Sequence, residues 1–253
     1  MNIKNKKIKI LIVIALFTLF NIVNYVEAVE AKENVLEFVM EKELAIDRNR
    51  KVAYITFDDG PSIYTEKLLD VLNHYEVPGI FFVLGHHLEI MPNSDRILNR
   101  IMDDGHYIAL HTMTHDKTAL YQTEKSPTTF TEEMLELRDE IEARTGHIAN
   151  LCRAPYGKRG YFKTAHYQVV KEAGLYCIDW HLDSRDWVNQ NAGQIYNEVV
   201  KGVKQLEDNQ EIVLLFHEFQ RTVDALPDII EFLKEEGYTF EPYVEGKIFE
   251  DLE

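Results

Sequence analysis

The sequence predicts an α/β fold built on one parallel sheet. Three observations carry that expectation. Apolar runs of strand length recur along the chain, nearly unbroken by polar residues, as strands buried on both faces require. Amphipathic segments at helical spacing separate them. Ionisable residues outside both patterns collect directly after the apolar runs, where a parallel sheet presents the C-terminal ends of its strands. An open doubly wound sheet and a (β/α) barrel both satisfy this pattern.

Val52 to Phe57 is rich in β-branched and aromatic residues and reads as the first strand. Thr65 to Tyr75 places Leu68, Leu69, Val71 and Leu72 at helical spacing, and Pro78-Gly79 ends it. Ile80 to Leu84 is the second strand, Asp95 to Asp103 a helix with Gly105 past its end, and His106 to Leu110 the third strand. Thr129 to Glu132 resembles a capping box and predicts a helix from there to about Arg144, stopped by Gly146. Ile148 to Cys152 is the fourth strand, Tyr161 to Ala173 a helix, and Leu175 to Trp180 the fifth strand. Ala192 to Leu206 and Val223 to Glu236 are helices flanking a sixth strand, Glu211 to Phe216, and Tyr238 to Phe240 closes the series as the seventh. No internal repeat interrupts the pattern, and no glycine-rich phosphate loop follows the first strand, which argues against a nucleotide site.

Composition narrows the function classes. The 253 residues carry a formal charge of −16. Without residues 1–28 the balance becomes 23 basic against 42 acidic side chains, or −19. Such a surface repels polyanions and excludes nucleic acid as a natural partner, whereas a neutral glycan is not repelled. Two cysteines, Cys152 and Cys177, form no disulfide framework; in an exported protein one bridge between neighbouring strands is open to them.

Met1 to Lys9 is basic, Ile10 to Phe20 apolar, and Val26-Glu27-Ala28 ends on a small residue, the layout of a secretory signal. Ile22, Val23, Tyr25 and Val26 extend the apolar run enough to keep an uncleaved membrane anchor open. Residues 1–28 are therefore expected to be a signal peptide or N-terminal anchor, 29–50 a charged linker or packing arm, and 51–253 the catalytic domain. The body of the protein is expected outside the cytoplasmic membrane, secreted or anchored at the cell surface.

The strand ends carry the chemistry. Asp58-Asp59 follows the first strand, and two adjacent carboxylates are costly without a positive partner. His111-Thr112-Met113-Thr114-His115 follows the third, with two imidazoles at a spacing that converges in a helical turn. Two histidines and one carboxylate leave coordination positions open, as a catalytic metal site does. Zinc is the first expectation; non-haem iron and other divalent ions accept the same ligands. The second aspartate is then free to act as base on a water the metal activates. His217, ending the sixth strand, is placed and tuned to protonate a leaving group.

Thr56-Phe57-Asp58-Asp59-Gly60, His111 to His115, Arg153-Ala154-Pro155-Tyr156-Gly157, Asp183-Ser184-Arg185-Asp186-Trp187 and Leu215-Phe216-His217 together resemble the five ordered motifs of the polysaccharide deacetylase (NodB-homology) family. The resemblance covers about Lys51 to Phe240. It implies a distorted (β/α) barrel of about seven parallel strands and metal-dependent removal of N-acetyl groups from sugar polymers. Carried over by position, Asp58 resembles the general base, Asp59, His111 and His115 the metal ligands, and Arg153 the partner of the base. The amide of Tyr156 resembles an oxyanion donor, Asp186 the carboxylate that orients the acid, His217 the acid itself, and Trp187 and Leu215 the apolar walls of the acetyl pocket. Two departures stand out: Glu218 where Asp is frequent, and Ala154 where Pro is frequent.

The expected protein is thus an exported N-deacetylase of N-acetylglucosamine in peptidoglycan, with chitin oligomers or poly-N-acetylglucosamine next, using a divalent ion such as Zn2+, Co2+ or Ni2+. An O-acetyl glycan esterase of the xylan type, a non-catalytic carbohydrate-binding homologue and a non-haem iron oxygenase are the rival readings. His86, His87, His106, His166 and His181 are expected to be structural or surface residues, with His86-His87 facing the cleft. Tyr64, Tyr121, Tyr161 and Trp180 are expected in core or rim packing.

Overall fold

The computed structural model describes residues 50–206, 211–249 and 252. The leader or anchor expected over residues 1–28 and, Arg50 apart, the arm over 29–50 lie outside the described residues. Among those described, no helix is long and apolar enough to cross a membrane.

Eight parallel strands make one sheet: β1 (Lys51–Gly60), β2 (Gly79–Val83), β3 (Tyr107–Leu110), β4 (Leu151–Cys152), β5 (Tyr176–Cys177), β6 (Leu182–Asp183), β7 (Glu211–His217) and β8 (Tyr238–Phe240). Their order is β5-β4-β3-β2-β1-β7-β6, with β8 paired to the first residues of β1. Eight helices are described: α1 (Thr65–Tyr75), α2 (Gly85–Ile90), α3 (Ser94–Asp103), α4 (Lys117–Tyr121), α5 (Ser126–Thr145), α6 (Thr164–Glu172), α7 (Ala192–Gln205) and α8 (Gln220–Glu235).

The chain itself forces this sheet to curl. β5 and β6 stand at opposite ends of the strand order, yet only residues 178–181 join them. Six strand spacings of a flat sheet would part those ends by about 29 Å. A link of that length reaches at most about 18 Å. The ends must therefore approach each other, and the sheet becomes the distorted barrel that the family resemblance implies.

Strand alternation divides the core in two. Ala53, Ile55 and Phe57 of β1 face the helices with Ile212, Leu214 and Phe216 of β7 and Leu68, Leu69 and Leu72 of α1. Ala53 apart, each such side chain contributes about 1.5–3 kcal/mol by leaving water. Val52 and Tyr54 face the other way, into the barrel, with Ile80, Phe82, Tyr107, Ala109, Leu151, Ile178 and Val213. Tyr243, Phe249 and Leu252 of the C-terminal segment fill that interior from below, and the Phe249 ring meets Tyr54 edge-on at 5.0 Å. Continuing the inward period, Thr56 and Asp58 of β1 lie above this apolar floor, followed by His111 after β3, Arg153 after β4 and His217 on β7.

Several expectations are corrected. The sheet has an eighth strand, β6, whose two residues are too short to show a period. β4 and β5 have two residues each rather than five and six. α5 starts at Ser126 with Pro127 in its first turn, so Thr129 lies inside the helix and caps nothing. Short helices α2 and α4 occupy segments to which the sequence pattern assigned no element. Cys152 and Cys177 face each other across β4 and β5 as free, buried thiols.

Candidate active site

Simple alternation would send Asp58 into the barrel and Asp59 out of it. Two backbone features bring Asp59 back. The β1–β2 register slips between Asp58 and Gly60, and Asp59 itself adopts φ 65°. Such a bulge re-aims one side chain. The left-handed backbone costs least for residues such as Asp and Asn. His87, on α2, donates from Nδ1 to the Asp59 carbonyl at 2.8 Å and fixes the turned peptide. Left-handed φ recurs at Thr112, His115, Tyr156 and Arg185, so five of the seven non-glycine residues of this kind among those described lie in the loops around the site. Strain of about 1–3 kcal/mol per residue is commonly concentrated at such places.

Asp59, His111 and His115 converge. Asp59 Oδ1 lies 3.5 Å from His111 Nε2 and 3.6 Å from His115 Nε2, and the three donor atoms fall within 4.8 Å of one another. Tetrahedral bonds of 2.0–2.2 Å would set neighbouring donors about 3.3–3.6 Å apart. Three further features fit a metal ion. Asp59 Oδ1 is buried and has no hydrogen-bond partner among the described residues. His111 donates from Nδ1 to the Arg153 carbonyl at 2.9 Å, which leaves the Nε2 lone pair facing Asp59. Burial, then the neighbouring His111, lowers the His115 pKa and favours its neutral form.

The histidine pair does not sit on a helical turn, as its spacing suggests. Residues 111–116 form a loop, with Thr112 at φ 74° and His115 at φ 57°. Glu133 of α5 shapes that loop by accepting from Met113 N at 3.1 Å, Thr114 N at 2.9 Å and Thr114 Oγ1 at 3.0 Å.

Asp58 faces a different partner. Its Oδ1 accepts from Arg153 at 2.8 Å, while Oδ2 turns toward His111 Nε2 at 3.8 Å. Arg153 is fully buried, lies 4.1 Å from the Phe82 ring centre, and also donates to Thr56 Oγ1 at 2.7 Å and the Asp179 carbonyl at 3.1 Å. Burial would raise the Asp58 pKa; the charge of Arg153, with His111 and His217 and the Arg153 hydrogen bond, outweighs it and holds the carboxyl below its ordinary value.

His217 stands directly across from Asp58 in the β1–β7 register. Asp186 Oδ1 accepts from its Nδ1 at 2.8 Å, and Asp186 Oδ2 accepts from His217 N at 2.6 Å and Thr222 Oγ1 at 2.7 Å. Burial would lower this imidazole's pKa, yet the hydrogen bond and charge of Asp186, with Asp58 and Asp59, push it up to about 9. Around this centre, Leu215 is buried on β7, Trp187 is exposed on the loop after β6, and the Tyr156 ring lies 4.6 Å from that of His115. The Tyr156 N–H makes no hydrogen bond among the described residues. All ten residues singled out by sequence therefore gather at one end of the barrel.

The family described as Polysaccharide deacetylase matches residues 45–178. The chain belongs to the polysaccharide deacetylase family. It is 36% identical over 193 residues to YheN of Bacillus subtilis, covering 75% of this chain and 66% of that protein, slightly under two thirds. It is 34% identical over 208 residues to a peptidoglycan-N-acetylglucosamine deacetylase of Bacillus cereus, covering 80% of this chain and 72% of the relative. The crystal structure of the polysaccharide deacetylase Bc1974 from Bacillus cereus superposes with a TM-score of 0.71 at 32% identity, over 79% of this chain and 95% of that one.

Within this polysaccharide deacetylase, sequence reasoning overlooked Glu133, which acts on backbone groups 19 and 20 positions away and which no motif marks. It placed His87 at the cleft without its hold on the Asp59 carbonyl, and singled out Glu218 only as a departure from the family pattern. Glu218 is buried, accepts from Ser62 N at 2.9 Å and, very closely, from Thr65 Oγ1, and so ties the end of β7 to the turn after β1. Burial pushes its pKa up to about 7, against the hydrogen bonds from Thr65 and Ser62. A Cβ at Gly60 would collide with the Glu218 carboxylate, so a larger residue there would push that side chain off Ser62 and Thr65. Tyr121 and Trp180 pack rather than line a cleft, one buried and the other beside the Arg153 guanidinium.

Proposed function

We propose that the chain is an exported, metal-dependent hydrolase that removes N-acetyl groups from N-acetylglucosamine residues of a glycan, peptidoglycan first among them. One observation carries this reading. A carboxylate held ionised by Arg153 and an imidazole held protonated by Asp186 face each other across adjacent strands, beside a triad able to hold a divalent cation. Base and acid are thereby poised in opposite protonation states, as hydrolysis of an amide requires.

Asp59, His111 and His115 would hold the cation, Zn2+ by preference with Co2+ or Ni2+ as alternatives. When bound, it supplies Lewis acidity and eases deprotonation of the attacking water. Asp58 takes the proton from that water as its oxygen adds to the acetyl carbon. Arg153 keeps Asp58 ionised for this step. The carbonyl oxygen becomes an oxyanion, to which the unpartnered Tyr156 N–H donates, a contact of a kind worth about 10²–10³ in rate. His217 then gives its proton to the amine nitrogen, the carbon–nitrogen bond breaks, and acetate and the free amino sugar remain. Acid and base catalysis of this kind each contribute about 10²–10⁴. Trp187 and Leu215 would border the methyl group.

The basic, apolar and small-residue order of the first 28 residues supports export or anchoring at the cell surface. Acetate release across a panel of acetylated glycans, with chelator and after metal restoration, tests the proposal. No release with zinc, cobalt or nickel from any of them would sink it. An O-acetyl esterase remains the second reading because the same groups activate water. An alkoxide leaves more readily than an amine, so His217→Ala should then spare ester turnover relative to amide turnover.

A further inference from the structure

Two residues after His115, Lys117 opens α4 as an exposed cation. Its ammonium lies 5.3 Å from the Tyr156 ring centre and 4.8 Å from that of Tyr161. It forms no ion pair among the described residues. The neighbouring carboxylate, Asp116, is turned away and accepts from Thr118 N and Ala119 N, each at 2.8 Å. The bed beneath Lys117 continues to the candidate metal site: the Tyr156 and Tyr161 rings are 5.8 Å apart, Tyr156 meets the His115 ring at 4.6 Å, and its hydroxyl donates to the His115 carbonyl at 3.3 Å.

Aromatic faces hold an ammonium in place without cancelling its charge. The rest of the surface argues for a use. A chain with a formal charge of −16 repels acidic polymers. A cation beside the site with no carboxylate partner among the described residues is what would make such a polymer acceptable there. Tyr156, exposed next to it, offers a flat face to a sugar ring.

We propose that Lys117, seated on Tyr156 and Tyr161, is a carboxylate-binding subsite that favours glycan strands carrying an acidic substituent on the sugar next to the N-acetylglucosamine to be hydrolysed. This rests on the deacetylase reading above and assigns a substrate class to it. Charge is the discriminating property, so an N-acetylglucosamine homopolymer should be the poorer ligand.

The test compares three tetrasaccharides: chitotetraose, a peptidoglycan strand with free lactyl carboxylates, and the same strand carrying its stem peptides. Calorimetry gives Kd and acetate release gives KM, for wild type, Lys117→Gln and Lys117→Arg. Wild type should bind an acidic strand up to about fivefold more tightly than chitotetraose, the range of an exposed ion pair. That preference should fade at high salt, vanish in Lys117→Gln and persist in Lys117→Arg. Comparison of the two acidic strands shows whether the lactyl group or the peptide supplies the carboxylate. An equal acid-to-neutral ratio in wild type and Lys117→Gln overturns the subsite, even if acetate is released normally. A Lys117-dependent binding preference without acetate release from any strand upholds the subsite and removes the deacetylase reading instead.

Discussion

Replacing Asp186 by Asn separates the acid role of His217 from its mere presence. Asp186 is fully buried and accepts from the ring and backbone of His217. Its hydrogen bond and charge lead the interactions that overcome burial and lift the imidazole from 6.5 to about 9. That difference amounts to about 3 kcal/mol of preference for the imidazolium form. The isosteric Asn keeps the packing and removes the charge, and burial, opposed only by Asp58 and Asp59, then returns the pKa toward its ordinary value. At pH 7.5 a group with a pKa near 9 is about 97% protonated, and one near 6.5 only about 9%. Asp186→Asn should therefore lose about tenfold in kcat/KM for acetate release at pH 7.5, and less than about twofold at pH 5.5. The alkaline limb of the profile should move acidward by about two units. Stability follows the same sign. A pKa raised on folding stabilises fully below the unfolded value of 6.5 and loses that contribution as pH rises through about 9, so the variant's deficit in urea unfolding should be largest in acid. The profile is measured from pH 5 to 10 at saturating metal. A uniform loss at every pH, or an unmoved alkaline limb, would refute the assignment of Asp186 and His217.

The remaining expectations address the other groups. Asp59→Asn should weaken metal binding, while Asp58→Asn should keep the metal and lose turnover by about 10²–10⁴; equal metal loss by calorimetry would contradict the division of labour between them. Arg153→Met strands a buried carboxylate and should cost about 3–5 kcal/mol in urea unfolding, and the acid limb of activity should rise as Asp58 loses its counter-charge; an unchanged limb would count against the pair. His106 is buried, accepts from Gly79 N at 3.0 Å, and is held by burial at about 4. Its depressed pKa contributes stability above pH 6.5 that is lost as pH falls through about 4, up to about 3 kcal/mol, so His106→Gln should flatten the acid side of the stability curve. Parallel curves for the two proteins would show that His106 does not drive that slope.

The fold was legible because its strands are buried on both faces and so read as continuous apolar runs. β1 and β7 were found on that ground within a few residues of their ends, and α1 by the helical spacing of its apolar residues. β6 was not, since Leu182–Asp183 is too short to carry a period and is held by pairing to Leu214 and Leu215. The site residues were legible because a parallel sheet gathers its strand ends, and five of those ends carry ionisable or donor groups. Their aiming was not. Alternation alone places Asp58 and Asp59 on opposite faces, and only the slipped register and φ 65° at Asp59 unite them. A four-residue histidine spacing suggested a helical turn, whereas Glu133, contributed by another element, supports a loop. Such backbone turns depend on contacts distant in sequence and leave no periodic trace.

The central position of β1 bears on the order in which the molecule is completed. β1 begins the described strands, yet Thr56 donates to the carbonyl of Leu214, 158 positions later. A chain emerging from its N-terminus releases Asp59, His111 and His115 long before β7. All three residues able to capture a cation are thus present while β1 still lacks the neighbour that brings His217. The barrel's floor comes later still, with Tyr243, Phe249 and Leu252. The three candidate ligands and His217 are thus separated along the direction of synthesis, and β7 sets the imidazole beside a cluster whose residues were already made.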